Sequence, residues 1–155
     1  RAENTDNSER LNNIILALEK ISQEKCPVVL PLHPRTKNKL SQMNYDLNTS
    51  PLFFIQPVGY LEMVWLLQNC QLVMTDSGGV QKEAYFFNKF CITLRDETEW
   101  VELVDNKFNI LVGSNYNKII ETYHTLSQNT FSNDQNKLYG NGEAGIKIVN
   151  TLINK

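Results

Sequence analysis

The residues of this chain best suited to bind a phosphate lie between positions 75 and 87, where the sequence reads TDSGGVQKEAYFF. Gly78 and Gly79 should let the backbone turn sharply and let a bulky anion come close, and Ser77 offers a hydroxyl and a helix cap. A helix that begins here exposes unpaired N–H groups and the positive end of its dipole, which together favour a phosphate. Glu83 follows about a turn and a half into that helix, and a carboxylate there suits the paired hydroxyls of a ribose.

Three further polar residues occupy positions equivalent to that of Ser77. His33, Gln56 and Arg95 each follow a short apolar run, as Ser77 does. In parallel sheets flanked by helices, the ligand sits outside the carboxyl ends of the strands. These side chains are therefore expected to meet at one edge of a sheet. Without them, Ser-Gly-Gly would be better explained as an ordinary turn with a helix cap.

The elements that must position these residues alternate between strand and helix about five times. This alternation predicts an α/β fold, with a parallel sheet and helices on both faces. In the first predicted helix, apolar residues recur at helical spacing from Leu11 to Ile21, and Ser8 is the expected cap. The predicted strands are 27–32, 52–55, 72–74, 90–94 and 109–112. The predicted helices begin just after Ser8 and just after Gly79, and cover 37–43, 60–69, 100–104 and 118–126. A closing helix from Glu143 follows a polar link at 128–136.

Composition and charge limit the class of protein and partner. The chain has 155 residues and a formal net charge of −2, so it is one domain of ordinary size. Its charge argues against nucleic acid or an anionic membrane bound through bulk electrostatics. Cys26, Cys70 and Cys91 are odd in number and have apolar neighbours, which is typical of free thiols in a reducing cytoplasm. No apolar run is long enough for a transmembrane helix.

Several motifs in this order resemble one known family. The chain contains T-D-S-G-G-V-Q-x-E-A, then L-R-D-x-T-E and L-V-G, with R-A-E-N-T-D at the start and Y-G-N-G-E-A near the end. This set is similar to the C-terminal domain of the non-hydrolysing bacterial UDP-N-acetylglucosamine 2-epimerases. The resemblance covers nearly the whole chain. It implies a three-layer Rossmann-like domain that forms one half of a GT-B architecture and holds most of the UDP.

The resemblance also implies roles for individual residues around UDP. Ser77, Gly78 and Gly79 match the loop that binds the diphosphate, and Glu83 matches the carboxylate that holds the ribose hydroxyls. Met63 stands where the family reads uracil through backbone atoms, so its side chain is free to vary.

Three more residues match the phosphate and sugar side of the family's cleft. His33 matches a histidine on that side and is the catalytic candidate of this chain, although a lone histidine after a strand is also compatible with a structural role. Arg1 matches an arginine that reaches the cleft. Arg95 either faces the diphosphate or pairs on the surface with one of the carboxylates that follow it, and both alternatives stay open.

The chain departs from the common family pattern near the sugar. Residues 97–102 read ETEWVE where the family has threonine-threonine-glutamate-arginine-proline-glutamate, and Arg35-Thr36 replaces the usual asparagine-proline. This variant pattern is similar to a subgroup that includes epimerases of UDP-2,3-diacetamido-2,3-dideoxy-glucuronic acid. The positive charge of Arg35 would suit the uronate group of that sugar. Val64 stands where some members carry the histidine of an allosteric site.

The implied reaction is inversion at C2 of the sugar by elimination and re-addition of UDP, with no cofactor and no metal. The carboxylates that move the C2 proton belong to the other domain, so this chain alone is expected to bind without turnover. The full-length protein is expected to be a cytoplasmic homodimer that serves cell-envelope polysaccharide synthesis. Two alternatives remain, half of a UDP-sugar glycosyltransferase and a stand-alone nucleotide-binding module.

The resemblance further implies that residues outside this chain complete its sheet. In the family, Arg1 follows the first strand of the domain, which lies in the middle of the sheet. A chain without that strand leaves backbone N–H and C=O groups unpaired on two neighbouring strands, and buried unpaired groups are costly. We therefore expect residues 1–155 to belong to a longer polypeptide. If they are produced alone, we expect the gap to be closed by rearranged strands or by pairing with a second copy.

Overall fold

The computed structural model describes residues 1–24, 26–131 and 138–154. Helices and strands alternate through most of this part of the chain, as predicted. Their bounds are α1 Ala2–Asp6, α2 Ser8–Gln23, β1 Val29–Pro31, α3 Pro34–Gln42, β2 Phe53–Ile55, α4 Tyr60–Asn69, β3 Val73–Thr75, α5 Gly78–Phe86, β4 Cys91–Thr93, α6 Val101–Asp105, β5 Asn109–Leu111, α7 Tyr116–Ser127 and α8 Ala144–Ile153.

The five strands pair only in parallel, which confirms the predicted α/β class. β1 pairs with β2, from Val29 opposite Phe53 to Pro31 opposite Ile55. β4 lies between β3 and β5 in a separate sheet of order β3-β4-β5. Among the described residues, no backbone hydrogen bond joins β1 to β3. The single sheet predicted from the sequence is therefore interrupted, and each part has a free edge.

One hydrophobic core nevertheless lies against both sheets. The apolar stripe of α2 is buried along its whole length. It packs with side chains of α7, with a side chain of β4 and with one that directly follows β1. Fully burying a leucine or isoleucine side chain contributes about 1.5–3 kcal/mol relative to leaving it exposed, so this helix is a main source of stability. The buried members include Leu11, Ile14, Ile15, Leu18, Ile21, Leu32, Ile92 and Ile119.

A second cluster covers the opposite face of the β3-β4-β5 sheet. Val73 and Cys91 pack there against Leu67 of α4 and Ala84 of α5. The next residue along β4, Ile92, points into the first core, because successive side chains of a strand alternate between faces. Helices thus cover both faces of this sheet and give the three layers that we predicted.

The start of α2 differs from the prediction in one detail. Asn7, not Ser8, is the cap, and its side-chain oxygen accepts a hydrogen bond from the Arg10 N–H at 3.1 Å. Ser8 is the first residue of the helix. Both residue types are good caps, so the sequence alone did not separate them. Residues 2–6, for which we predicted no helix, form the short helix α1.

The remaining predictions concern the cysteines and the end of the chain. Cys26, Cys70 and Cys91 are free, as predicted. Burial raises the pKa of the Cys91 thiol to about 12. No helix in the described ranges has the length and apolar content to cross a membrane. The predicted polar link overlaps residues 132–137, which lie outside the described residues, and the closing helix is confirmed as α8.

Candidate functional site

The first turn of α5 presents backbone donors at the carboxyl end of β3. Ser77 occupies the N-cap position with extended backbone angles, φ −84° and ψ 127°. Its hydroxyl makes no capping bond, whereas side chains cap α2, α3 and α7. A helix leaves its first N–H groups without partners inside the helix. Those of α5 are therefore available to an anion beside the exposed Ser77.

Neither glycine at this turn is needed for an unusual backbone conformation, and only Gly78 is needed for space. We expected a sharp turn, but neither Gly78 nor Gly79 has a positive φ, and both belong to the helix. A Cβ on Gly78 would lie 1.9 Å from Oε1 of Glu99. A Cβ on Gly79 would meet no atom of the described residues within 4 Å. Gly78 thus accommodates a neighbouring carboxylate, and the space above Gly79 is open.

Arg95 and Glu99 form an ion pair beside this turn. Nη1 of Arg95 lies 2.8 Å from Oε2 of Glu99, and the side-chain exposures are 6% and 46%. From the sequence, two alternatives were open for Arg95: contact with the diphosphate, or an ion pair with a carboxylate on the surface. The structure pairs it with Glu99, but in a buried position, and its Nε has no hydrogen-bond partner in the described chain. The Glu99 main-chain N–H and the Arg95 side chain hold the pKa of the Glu99 carboxyl below its usual range, with a smaller contribution from the charge of Arg1.

Two side chains fix the segment that carries Glu99. Nε1 of Trp100 donates to the Gly78 carbonyl at 2.7 Å, and Oγ1 of Thr98 donates to Oε1 of Gln81 at 2.7 Å. Gln81 is fully buried and also accepts a bond from Nδ2 of Asn109 at 3.1 Å. We did not predict a role for these residues from the sequence. The available signals were a glutamine on the buried face of α5 and the departure from the family pattern at 97–102.

A buried asparagine attaches α1 to the same edge of the sheet. Nδ2 of Asn4 donates to the Leu94 carbonyl at 2.8 Å and to Oδ2 of Asp76 at 3.1 Å. Its Oδ1 accepts a bond from Nε of Arg10 at 3.0 Å. The main-chain nitrogen of Arg1 also bonds to Asp76. Arg1 is therefore placed beside the carboxyl ends of β3 and β4.

His33 lies at the carboxyl end of β1 and caps α3. Its Nδ1 accepts a hydrogen bond from the Arg35 N–H at 3.2 Å. The neutral ring therefore carries its proton on Nε2, which is left to donate to a ligand. Nη2 of Arg35 donates to Oδ1 of Asp6 at 2.7 Å, and this bond lowers the pKa of the Asp6 carboxyl. The Arg35 guanidinium, which we expected to suit a uronate, thus has a partner within the chain. Because Asp6 belongs to α1, this bond also ties α1 to the end of β1, so α1 connects the two sheets.

The two positions matched to ribose and uracil lie on α5 and α4. Glu83 is half-buried, and its carboxylate has no hydrogen bond or ion pair to any described residue. Met63 is half-buried against the cluster formed by Leu67 and Val73. Gln56 is exposed after β2 and has no side-chain hydrogen bond to the other candidates among the described residues. The carboxyl ends of β3 and β4 thus bring together Arg1, Ser77, Gly78, Gly79 and Arg95.

This arrangement can hold an anion and a pair of hydroxyls. Helix N–H groups and the Arg95 guanidinium supply positive charge, and Glu83 supplies an unpaired acceptor about a turn further along α5.

Comparison with known proteins gives one family. The family model described as UDP-N-acetylglucosamine 2-epimerase matches residues 1–153. The chain is 51% identical over 152 residues to the UDP-2,3-diacetamido-2,3-dideoxy-D-glucuronate 2-epimerase of Pseudomonas aeruginosa, covering 98% of this chain and 42% of that protein. It is 48% identical over 161 residues to a UDP-N-acetylglucosamine 2-epimerase homolog of Methanococcus maripaludis, covering 99% of this chain and 43% of that protein.

A solved structure has the same fold. The UDP-GlcNAc 2-epimerase of Methanocaldococcus jannaschii, crystallised in complex with UDP-GlcNAc and UDP, superposes with a TM-score of 0.87 at 40% identity. The superposition covers 100% of this chain and 43% of that chain. The chain thus spans less than half the length of the proteins that it resembles.

Proposed function

The chain belongs to the UDP-N-acetylglucosamine 2-epimerase family, and on this basis we propose that it holds the UDP part of a UDP-sugar in an isomerase that inverts the sugar at C2. The observation that carries the proposal is the uncapped first turn of α5, which has open space above Gly79. A diphosphate supplies the missing acceptors for these N–H groups, and the helix dipole favours its charge.

Glu83 is proposed to hold the ribose. It lies on the same helix as the phosphate site, and its carboxylate has no competing partner in the described chain. Met63 on α4 is proposed to lie beside the uracil, which backbone atoms would read. Ser77 contributes a hydroxyl to the diphosphate.

His33 and Arg1 are proposed to act at the sugar end of the site. The proton on Nε2 of His33 is positioned to donate to a phosphate or sugar oxygen, because Nδ1 is occupied by the Arg35 N–H. Arg1 adds positive charge where UDP leaves and returns. Proton transfer at C2 requires carboxylates within hydrogen-bond reach of that carbon, and we propose that these come from another domain of a longer protein.

We also propose that a strand from outside residues 1–155 lies between β1 and β3. Both strands have a free edge, and the two sheets share one core beneath α2. α1 contacts the carboxyl ends of both sheets, through Asp6 to Arg35 and through Asn4 to Asp76. A parallel strand in this position pairs the backbone groups that both edges leave unpaired.

A second sugar is favoured by one observation. The 51% identical relative acts, by its name, on UDP-2,3-diacetamido-2,3-dideoxy-D-glucuronate. We propose this sugar as the alternative to UDP-N-acetylglucosamine. Arg35 bonds to Asp6 through Nη2 alone, and the two side chains are about half exposed, at 53% and 47%, so the other guanidinium N–H groups are open to a uronate. The relatives named above are epimerases, which favours an isomerase over the transferase and the binding module that the sequence left open.

The proposed full-length enzyme is a cytoplasmic homodimer in cell-envelope polysaccharide synthesis. The free cysteines are compatible with a reducing compartment. The reaction itself requires no cofactor, because the elimination and re-addition of UDP leave the oxidation state of the sugar unchanged.

Calorimetry with UDP tests the proposal. Glu83→Gln removes a charge-assisted bond to a ribose hydroxyl, which contributes about 1.5–3 kcal/mol, so we expect affinity to fall roughly ten- to a hundredfold. Glu121→Gln is the matched control, because it removes the same charge from an exposed position on α7. Equal UDP affinities for the Glu83 variant and the unchanged protein would remove Glu83 from the site, and no UDP binding at all would overturn the proposed function.

A further inference from the structure

The carboxylate of Glu99 lies where an anion at the start of α5 would bind. Its Oε1 is close enough to Gly78 that a Cβ there would come within 1.9 Å, and its Oε2 accepts a bond from Nη1 of Arg95 at 2.8 Å. Arg95 is 5% exposed, and its Nε has no partner among the described residues. The buried guanidinium therefore has capacity for a further acceptor at this place.

The side chain of Glu99 can leave this position without moving the backbone. Thr98 and Trp100 are both bonded to α5, through Gln81 and the Gly78 carbonyl, so the segment on either side of Glu99 is fixed. The Glu99 side chain itself is 46% exposed. Rotation about its own bonds is enough to move the carboxylate into water.

We propose that Glu99 is an internal competitor for the diphosphate, which binds by displacing the Glu99 carboxylate from Arg95. This inference rests on the proposed function and concerns the same site. A carboxylate and a diphosphate repel each other at this distance, and a buried guanidinium is costly to leave unpaired. The exchange of one anion for another keeps Arg95 paired throughout.

Glu99 thereby becomes a residue that selects the class of ligand. A nucleoside without phosphates has no group to replace the carboxylate on Arg95, so it binds with Glu99 still in place. A nucleoside diphosphate replaces the carboxylate and also gains the N–H groups of α5. The site is therefore expected to discriminate strongly between UDP and uridine, and Glu99 sets part of that difference.

The test compares Glu99→Gln with Glu97→Gln by calorimetry with UDP and by NMR titration with uridine, at one ionic strength. Glu97 is exposed in the same segment, so the control removes the same charge. Glutamine can still accept a bond from Arg95 and removes only the charge of Glu99, so we expect Glu99→Gln to tighten UDP by about two- to fivefold. Uridine binding and the control variant should be unchanged.

Four other outcomes overturn the inference. If Glu99→Gln binds UDP as the unchanged protein does, or more weakly, Glu99 does not compete with the diphosphate. Tighter binding of uridine by the same factor would indicate an effect that does not depend on phosphate, and equal tightening by the Glu97 control would indicate general electrostatics. If none of the proteins binds UDP, the proposed function fails together with this inference. The other three outcomes contradict only the inference, so the two failures can be told apart.

Discussion

Replacing Gly78 or Gly79 of α5 by alanine should change the stability of the free protein in opposite directions. The change at position 79 should also weaken UDP binding while it stabilises the protein. At position 79 the new Cβ meets no atom within 4 Å in the part of the chain that the structure describes, and at position 78 it lies 1.9 Å from Oε1 of Glu99. Gly79→Ala should therefore stabilise the free protein but weaken UDP, because the methyl group occupies the space proposed for the phosphate. Gly78→Ala should destabilise the free protein, because Glu99 must leave its place beside Arg95.

The magnitudes follow from these contacts. Alanine in place of a helical glycine stabilises by about 0.4–1 kcal/mol, mainly by restricting the unfolded chain, so Gly79→Ala should gain that amount. At position 78 the same gain is offset by loss of the 2.8 Å bond between Arg95 and Glu99. A bond between charged groups contributes about 1.5–3 kcal/mol, and exposure of Glu99 reduces this to about 1–2 kcal/mol. Gly78→Ala should therefore be less stable than the unchanged protein by about 0–1.5 kcal/mol.

Urea unfolding measures the free energy of unfolding, and calorimetry measures UDP affinity on the same samples. For Gly79→Ala we expect a higher midpoint and at least about a tenfold loss of UDP affinity, or about 1.4 kcal/mol. Equal stabilisation by both substitutions would show that Glu99 does not lie over Gly78. Unchanged UDP affinity in Gly79→Ala would show that the space above this residue is not the phosphate site.

Three further predictions concern other parts of the chain. UDP should bind about as well as a UDP-sugar in calorimetry with residues 1–155, and a preference for the sugar above about tenfold would contradict a second domain as the main sugar contact. Asn4→Ala should lower the free energy of unfolding by about 1–3 kcal/mol in urea, because it leaves the buried Leu94 carbonyl unpaired, whereas Asn38→Ala on the exposed side of α3 should not. Cys91 should resist a thiol reagent at pH 8 and react only after unfolding, because burial raises its pKa to about 12, and rapid labelling of native Cys91 identified by mass spectrometry would contradict its placement.

The order of the elements was predictable because it depends on local patterns. The prediction for α4 at 60–69 matches its observed bounds, and the strands agree within a few residues. The apolar stripe of α2 was predicted from spacing alone, and its side chains are buried as expected. Helix and strand periodicities are properties of short segments, so they can be recognised without knowledge of the fold.

The details of the site were less predictable because they depend on contacts between distant residues. The need for glycine at position 78 arises from Glu99, twenty-one positions along the chain, and not from the local turn. The burial of Asn4 depends on the carbonyl of Leu94, ninety positions away. Neither contact leaves a periodic pattern in the sequence. The motif resemblance located the site, but only the fold could show that Arg95 is buried and already paired.

Gel filtration with light scattering on residues 1–155 tests the proposed strand between β1 and β3. We expect self-association, or a monomer whose strands have rearranged, because each sheet has a free edge next to the shared core. A monodisperse monomer that melts cooperatively with the sheets as described would contradict the proposal.

An NMR titration of the isotopically labelled protein with UDP tests directly whether the diphosphate binds at the first turn of α5, because each N–H group there gives its own signal. We expect the largest shifts at the amides of Ser77, Gly78, Gly79 and Val80 and at the Nε–H of Arg95, which has no hydrogen-bond partner among the described residues. Shifts that cluster away from the start of α5, with the Arg95 Nε–H unchanged at saturation, would contradict this expectation.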